Sequence, residues 1–352
     1  FKHKHMKNAI ITFVFILLSL MTYGQENIDA DNTIEEPQSF QILERNGKTH
    51  YFGQVYKNQK KGIGTEFLEE GTLRTGYFEN DLFLGDFIVA PPWHLLDVDY
   101  EFRDDMPFEK FSVDLTVKKD INDSAFFYIA PFCGEINGVG FYGGVQTMGG
   151  GYPSRYHNND ESTFSSLGRI GIFSRWGIRD PIAMKMAPNG SCESSGYEGD
   201  FVSVRNSINW SKGTYTLSIK NTHETVMIDS VLHSYLEMCI YSHQDKESVS
   251  LGKLAFPGKE MVLAKRNFGF IEHYSTYEKI ENIPKGQITL SKIKINNRLQ
   301  NIHNVWDVSE KNYPIWARSW TEGNTIQIQF GEPYTRKKYG ESAKLYFNQI
   351  KE

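Results

Sequence analysis

Glycine and aromatic clusters separated by short apolar runs occupy residues 138–215, and they leave little room for anything but sheet. The stretch opens Gly138-Val139-Gly140-Phe141-Tyr142-Gly143-Gly144-Val145-Gln146, continues Arg169-Ile170-Gly171-Ile172-Phe173-Ser174-Arg175-Trp176-Gly177 and closes Ile208-Asn209-Trp210-Ser211-Lys212-Gly213-Thr214-Tyr215. Glycines beside aromatics let backbones approach closely and turn sharply, while Phe, Tyr, Trp, Ile and Val suit a pleated, half-buried surface. The bias runs through the whole chain, where 14% of residues are aromatic, with 19 Tyr and 24 Phe. Such side chains pack across strands, so sheets are expected over helical bundles.

Strand patterns recur along the chain. Phe111, Val113, Leu115 and Val117 alternate with Ser112, Asp114 and Thr116, the period of a strand with one wet face. Residues 125–132 are continuously apolar, as a strand buried on both faces would be. Further strands are predicted at 138–146, 169–176, 201–204, 214–220, 235–241, 287–295 and 325–330. Residues 249–256 fit either a strand or a loop. Many short strands with Gly, Asn and Ser between them and no sustained 3.6-residue pattern predict an all-β fold: an antiparallel β-sandwich or jelly roll of the concanavalin-like kind, over residues 95–332. The tail, 333–352, carries Arg336, Lys337, Lys338 and Lys344 and reads as a solvated terminal helix, the alternative being a basic patch for a polyanion.

Ahead of the sandwich, residues 45–90 repeat a pattern. Tyr51-Phe52-Gly53-Gln54-Val55-Tyr56-Lys57-Asn58 leads to Lys61-Gly62-Ile63-Gly64-Thr65-Glu66-Phe67, and then Thr75-Gly76-Tyr77-Phe78-Glu79-Asn80 leads to Gly85-Asp86-Phe87. Two passes of one pattern predict stacked β-hairpins. These residues resemble the MORN repeat, with Gln59 and Asp81 standing where that family usually has Gly after Asn. The resemblance implies a spacer or a surface for an envelope protein partner, and no chemistry. Ala90-Pro91-Pro92-Trp93 marks the expected boundary.

Across about residues 97–279 the order of motifs is similar to the domain-of-unknown-function family 3472. The carrying residues are Gly140-Phe141-Tyr142-Gly143-Gly144-Val145-Gln146, Gly171-Ile172-Phe173-Ser174-Arg175-Trp176, Glu193 to Glu198-Gly199, Trp210 with Gly213 and Tyr215, Phe256-Pro257-Gly258 and Phe268-Gly269-Phe270-Ile271-Glu272. The family usually has Asp or Asn soon after the Trp of the third strand; here Gly177-Ile178-Arg179-Asp180 intervenes. The resemblance implies an extracytoplasmic β-sandwich found near carbohydrate-related proteins.

The N-terminal region reads as a targeting signal. Met6 and Lys7 precede the apolar run Ala9 to Met21, which at 1.5 Å per residue is too short to cross about 30 Å of hydrocarbon. Thr22 and Gly24 supply small residues for cleavage before Gln25. The expectation is a signal peptide over 1–24, a flexible acidic leader over 25–44, no membrane span after cleavage, and a secreted, periplasmic or outer-surface location. The formal charge of −5, without a dense Lys/Arg cluster, does not suggest a nucleic-acid-binding face, and no nucleic-acid partner is expected. Cys133, Cys192 and Cys239 are too few for a disulfide scaffold. The readings are one bridge, Cys192 to Cys239, or three unbridged thiols.

Several residue groups could carry chemistry. Trp176, Trp210, Tyr142 and Tyr156 offer flat faces to sugar rings, with Arg169, Arg175, Asn159 and Gln146 as polar partners, the usual composition of a small-ligand site. The alternative for the tryptophans is core packing. Glu193, Glu198 and Asp200 gather three carboxylates between strands, and carboxylates about 5–9.5 Å apart across a cleft can hydrolyse glycosides. Asn158, Asp160 and Glu161 lie in an oxygen-rich loop that calcium could occupy; no other cofactor is expected. Glu272 and His273 form a weaker acid/base pair. No GxSxG, HExxH or nucleotide-binding fingerprint occurs. The reading is an exported, non-catalytic module that binds carbohydrate or a cell-surface polymer. The alternatives are a glycoside hydrolase or polysaccharide lyase using Glu198 with Glu193 or Asp200, and a structural protein of the cell envelope.

Overall fold

The computed structural model describes residues 39–69, 71–152, 165–196, 199–308, 316–334 and 343–345. Regular structure among them is almost entirely antiparallel strand, broken by 3-10 turns at Asp123–Ala125, Pro181–Ala183 and Ile280–Asn282. The predicted all-β class is therefore observed. The signal and most of the leader lie outside the described residues.

A five-stranded meander comes first: β1 (Ser39–Arg45), β2 (Lys48–Tyr56), β3 (Gln59–Phe67), β4 (Leu73–Glu79) and β5 (Leu82–Asp86), paired in that order. Strand β1 claims residues 39–44 from the expected leader, because they pair with β2. The hairpins adjoin edge to edge in one sheet. Lys57 (φ 48°) with Asn58 (φ 64°), and Asn80 (φ 49°) with Asp81 (φ 69°), make two-residue left-handed turns whose twist matches the flanking strands. Asp81 does more than tolerate that conformation. Its carboxylate accepts the Lys60 N–H at 2.9 Å and its own N–H donates to the Lys60 carbonyl, tying the second hairpin to the first. Gly53, Gly64 and Gly76 lie opposite one another; the Tyr51 ring fills the groove at Gly53 and Gly64, and Phe83 lies against Gly76. A Cβ on Gly64 would sit 2.2 Å from the Tyr51 hydroxyl.

From Trp93 the chain builds two larger sheets. It runs through β6 (Trp93–Glu101), β7 (Met106–Pro107), β8 (Lys110–Val117), β9 (Phe127–Ile136), β10 (Val139–Gly151), β11 (Ser165–Trp176), β12 (Met184–Met186) and β13 (Ser191–Ser195). It continues through β14 (Phe201–Ser207), β15 (Gly213–Ile228), β16 (Val231–Ser242), β17 (Glu247–Pro257), β18 (Val262–Leu263) and β19 (Arg266–His273). The last strands are β20 (Gly286–Ile295), β21 (Arg298–Leu299), β22 (Asn304–Val308), β23 (Ala317–Glu322), β24 (Thr325–Phe330) and β25 (Ala343–Leu345). The larger sheet has the order β13-β14-β11-β10-β9-β19-β6-β22-β25, with β7 and β18 at its side; the smaller is β12-β17-β16-β15-β8-β20-β24-β23, with β21 on β20.

Their inner faces merge into one apolar core. Phe111 stacks on Phe132 across the layers at 4.3 Å, Phe127 meets Phe330 at 4.7 Å, and Phe173 lies parallel to Phe256 at 6.2 Å. Two glycines of the Gly-aromatic stretch face this core. A Cβ on Gly143 would stand 2.6 Å from Met238 Sδ, and one on Gly171 would stand 2.6 Å from Leu251, so both let the opposing sheet come closer than any side chain would allow.

Several expectations change. Strand β8 has no wet face: Ser112 and Asp114 are buried, because β8 lies between β15 and β20 and their side chains cover it. Thr216 donates to Asp114 at 2.5 Å and Lys292 approaches it at 3.1 Å. The undecided run at 249–256 is strand β17. In the tail, Ala343–Leu345 pairs with β22 as a strand, in place of the expected helix. The expected boundary falls at the cis Pro91-Pro92 bond, but residues Gln38–Glu352 form one compact unit, and Phe87 and Val89 before that bond already belong to the sandwich core. No disulfide forms among the described residues. Cys192 faces the core from the larger sheet, whereas Cys239 belongs to β16 in the smaller sheet and alternates with its core residues Met238 and Ile240, so the two cannot meet. No helix among the described residues is long and apolar enough to cross a membrane.

Candidate functional site

The outer face of the larger sheet carries a second apolar cluster, separate from the core: Tyr128, Ala130, Cys133, Ile170, Ile172 and Phe270, with Tyr142, Phe268 and Tyr274 against it. Period-two alternation puts it there. In β10, Phe141 and Val145 turn inward, so Tyr142 and Gln146 turn outward.

Pairing register converts this into rows running across the strands. One row reads Glu193, Ser203, Ser174, Tyr142, Cys133, Phe268, Asp99, Trp306. It crosses eight strands, a span on the order of 30 Å at about 4.8 Å per strand. A parallel row reads Ile170, Gln146, Tyr128, Glu272, His94. Between them lie Arg205 beside Ile172, and Ala130, Phe270 and Asp97.

Ring contacts stitch the rows together. Phe201 meets Trp176 at 5.6 Å, Trp176 meets Tyr142 at 5.6 Å, Tyr142 meets Tyr128 at 6.2 Å, Tyr128 meets Phe270 at 5.1 Å, and Phe270 stacks on His94 at 4.3 Å. Trp176, Tyr142, Phe268 and His94 are half-exposed, while Tyr128 and Phe270 form the floor. The hydroxyls of Tyr128 (3% exposed) and Ser174 (0% exposed) have no hydrogen-bond partner among the described residues. A buried hydroxyl left this way costs about 1–3 kcal/mol.

Charged groups frame the rings. His94 lies between two carboxylates, its Nδ1 2.9 Å from Asp97 and its Nε2 3.2 Å from Glu272. Burial works against a charge on His94, but the two carboxylates outweigh it and hold the pKa well above the ordinary histidine value. Arg266 pairs with Asp99, whose pKa burial raises, with Asp97 and Glu101 adding repulsion and Arg266 opposing them. At the other end Arg205 pairs with Glu193 and donates to the Gly150 carbonyl at 2.6 Å. Burial lifts the Tyr128 phenol well above its usual range, and Cys133, Tyr142 and Glu272 reinforce this.

Of the residues singled out from sequence, Trp176, Tyr142, Gln146 and Glu193 come to this face. Arg175 does not. As the neighbour of Trp176 it points inward, is 3% exposed, bonds the Ala255 carbonyl and lies over the Phe256 ring, and burial pushes its pKa down to about 10. Trp210 is core, with Nε1 donating to the Gln146 carbonyl, and Arg169 covers its ring while bonding the Trp210 and Ile121 carbonyls. Asp200 is exposed, 3.9 Å from Arg179. Asp180 caps the 3-10 turn at Pro181–Ala183 by accepting the Ile182 N–H. Glu198, Tyr156, Asn158, Asn159, Asp160 and Glu161 lie outside the described residues, and so does the calcium reading. Among the described residues no group of three or more His, Cys, Asp or Glu is placed to hold a metal.

Glu272 and His273 do not form a pair, since adjacent strand residues serve opposite faces. Glu272 engages His94; His273 turns inward against Trp93 and Tyr277, both ring nitrogens unbonded, and burial pushes its pKa down to about 4. Sequence reasoning missed His94, Asp97 and Asp99. Their signal was the alternation of Asp97, Asp99 and Glu101 with Leu96, Val98 and Tyr100, a strand with one acidic face.

No family model matches the chain, and no curated protein matches it either.

Proposed function

We propose that the protein binds carbohydrate, as a polymer lying along the ringed outer face of the larger sheet. The observation that carries this reading is the unbroken series of contacts from Phe201 through Trp176, Tyr142, Tyr128 and Phe270 to His94. Aromatic faces pack on the apolar faces of sugars while flanking polar groups take their hydroxyls. The partnerless hydroxyls of Tyr128 and Ser174 favour an incoming polar ligand as well. The signal-like N-terminus and the resemblance to the domain-of-unknown-function family 3472 agree with a role outside the cytoplasm.

Binding shows as thermal stabilisation. At a ligand concentration a hundredfold above Kd the gain is about 2.7 kcal/mol, readable as a rise in Tm across a polysaccharide panel. A panel that gives neither a shift nor gel retention removes the proposal. A second reading, a protein partner on the MORN-like sheet, is favoured by the exposure of Tyr77, Leu82, Leu84 and Ile88 at its β5 side.

A further inference from the structure

The outer face also states what kind of glycan it would accept, an inference that rests on the carbohydrate reading. Among the side chains described on this face, the cations are engaged. Arg205 is held by Glu193, Arg266 by Asp99, and His94 by Asp97 and Glu272 together. Register adds two further carboxylates to the same face, Glu101 opposite Arg266 and Glu135 opposite Gly140. Carboxylates therefore outnumber cations. A polymer bearing carboxylate or sulfate groups would meet like charge on a half-buried surface, where repulsion is screened less than in open solvent. A polyanion site needs the opposite arrangement, with guanidinium or ammonium groups left to pair with the ligand.

Uncharged groups remain to do the recognition. The half-exposed rings of Trp176, Tyr142 and Phe268 supply flat faces. The hydroxyls of Tyr128 and Ser174, both more than nine-tenths buried and partnerless, flank Tyr142 on two sides. Each can donate one hydrogen bond and accept others, which suits alcohol groups. We infer that the ligand of this face is a neutral glycan segment, free of uronate and sulfate, seated over Tyr142.

The test is affinity electrophoresis of the full chain in gels containing neutral polymers (mixed-linkage β-glucan, xylan, mannan) or acidic ones (polygalacturonate, alginate, chondroitin sulfate). Each is run at about 0.1 M salt and again at about 1 M, where the screening length falls from about 10 Å to about 3 Å. The expected result is retention by a neutral polymer that salt leaves unchanged, and at least a tenfold loss of affinity in Tyr142→Ala. Trp176→Ala and Phe268→Ala, at half-exposed positions, serve if Tyr142→Ala does not fold. Acidic polymers bound as tightly as neutral ones, or retention that salt abolishes, overturn the inference and leave carbohydrate binding standing. Retention by none of the six overturns both.

Discussion

Between about pH 6.5 and pH 4, acid should weaken this fold through His273. The imidazole is fully buried on the inner side of β19, edge-on to Trp93 at 5.9 Å and 4.9 Å from Tyr277, with neither ring nitrogen bonded. Burial lowers its pKa from 6.5 to about 4. Below pH 6.5 the unfolded chain takes up a proton that the native protein refuses until about pH 4, so the unfolded state binds more protons and stability falls with falling pH across that window. The interval is about 2.5 units, and at about 1.4 kcal/mol per unit the ceiling is about 3 kcal/mol.

His94 cannot mask the effect. Its pKa is raised, so its stabilisation is complete below the unfolded value and is lost only as pH climbs through the folded one. The assay is urea denaturation at closely spaced pH values from 8 down to about 4, comparing wild type with His273→Phe, which keeps the aromatic contacts and removes the titration. The difference in unfolding free energy between the two should grow as pH falls, in favour of the variant, by about 2–3 kcal/mol. Parallel curves would refute the reasoning, because they would mean that His273 titrates alike in both states.

Four further outcomes follow from the packing. Gly171→Ala should cost about 1–3 kcal/mol in chemical denaturation, the usual effect of overpacking, since its Cβ would enter the Leu251 and Ile240 side chains. Gly64→Ala should displace the Tyr51 ring from its groove, seen as a lower Tm and altered near-ultraviolet circular dichroism. Arg205→Met should destabilise by about 3–5 kcal/mol, because it leaves the buried Glu193 carboxylate uncompensated, and the loss should shrink in Arg205→Met with Glu193→Gln. All three cysteines should react with a thiol reagent in denaturant without prior reduction, while Cys133 and Cys192, buried in the native protein, should be protected before unfolding.

What sequence made legible was the strand, and what it hid was the neighbour. A continuous apolar run located β9, and Gly-aromatic clusters located β10 and β11, because such runs need only the strand itself to be recognised. Alternation gave β8 a wet face because Asp114 and Ser112 look solvated until β15 and β20 close in on either side, and Lys292 and Thr216 reach Asp114 from those strands. The rings of the outer face were half visible for the same reason. Tyr142 and Trp176 stood out in their own motifs, but Tyr128, Phe268 and Phe270 become their companions only through the pairing of β9 with β10 and of β19 with β9. Register of that kind joins residues more than 100 positions apart, and no local pattern carries it.

The same alternation decides which candidates can share a task. Along β11 the order Ser174-Arg175-Trp176 sends the serine and the tryptophan to the outer face and the arginine into the core, where it bonds the Ala255 carbonyl. Along β19, Glu272 looks outward to His94 while His273 looks inward to Trp93. Two residues adjacent in sequence and alike in chemistry are therefore the least suited to act together in this fold; partners come from the opposite position on the next strand. That rule assembles Tyr128 with Gln146 and Glu272, and Tyr142 with Ser174 and Phe268 by way of Cys133. It also places the acid-sensitive His273 directly beneath the ringed outer face, which it does not touch. Acid destabilisation and loss of glycan binding are consequently separable: His273→Phe should alter the first and leave the second at its wild-type value near neutral pH.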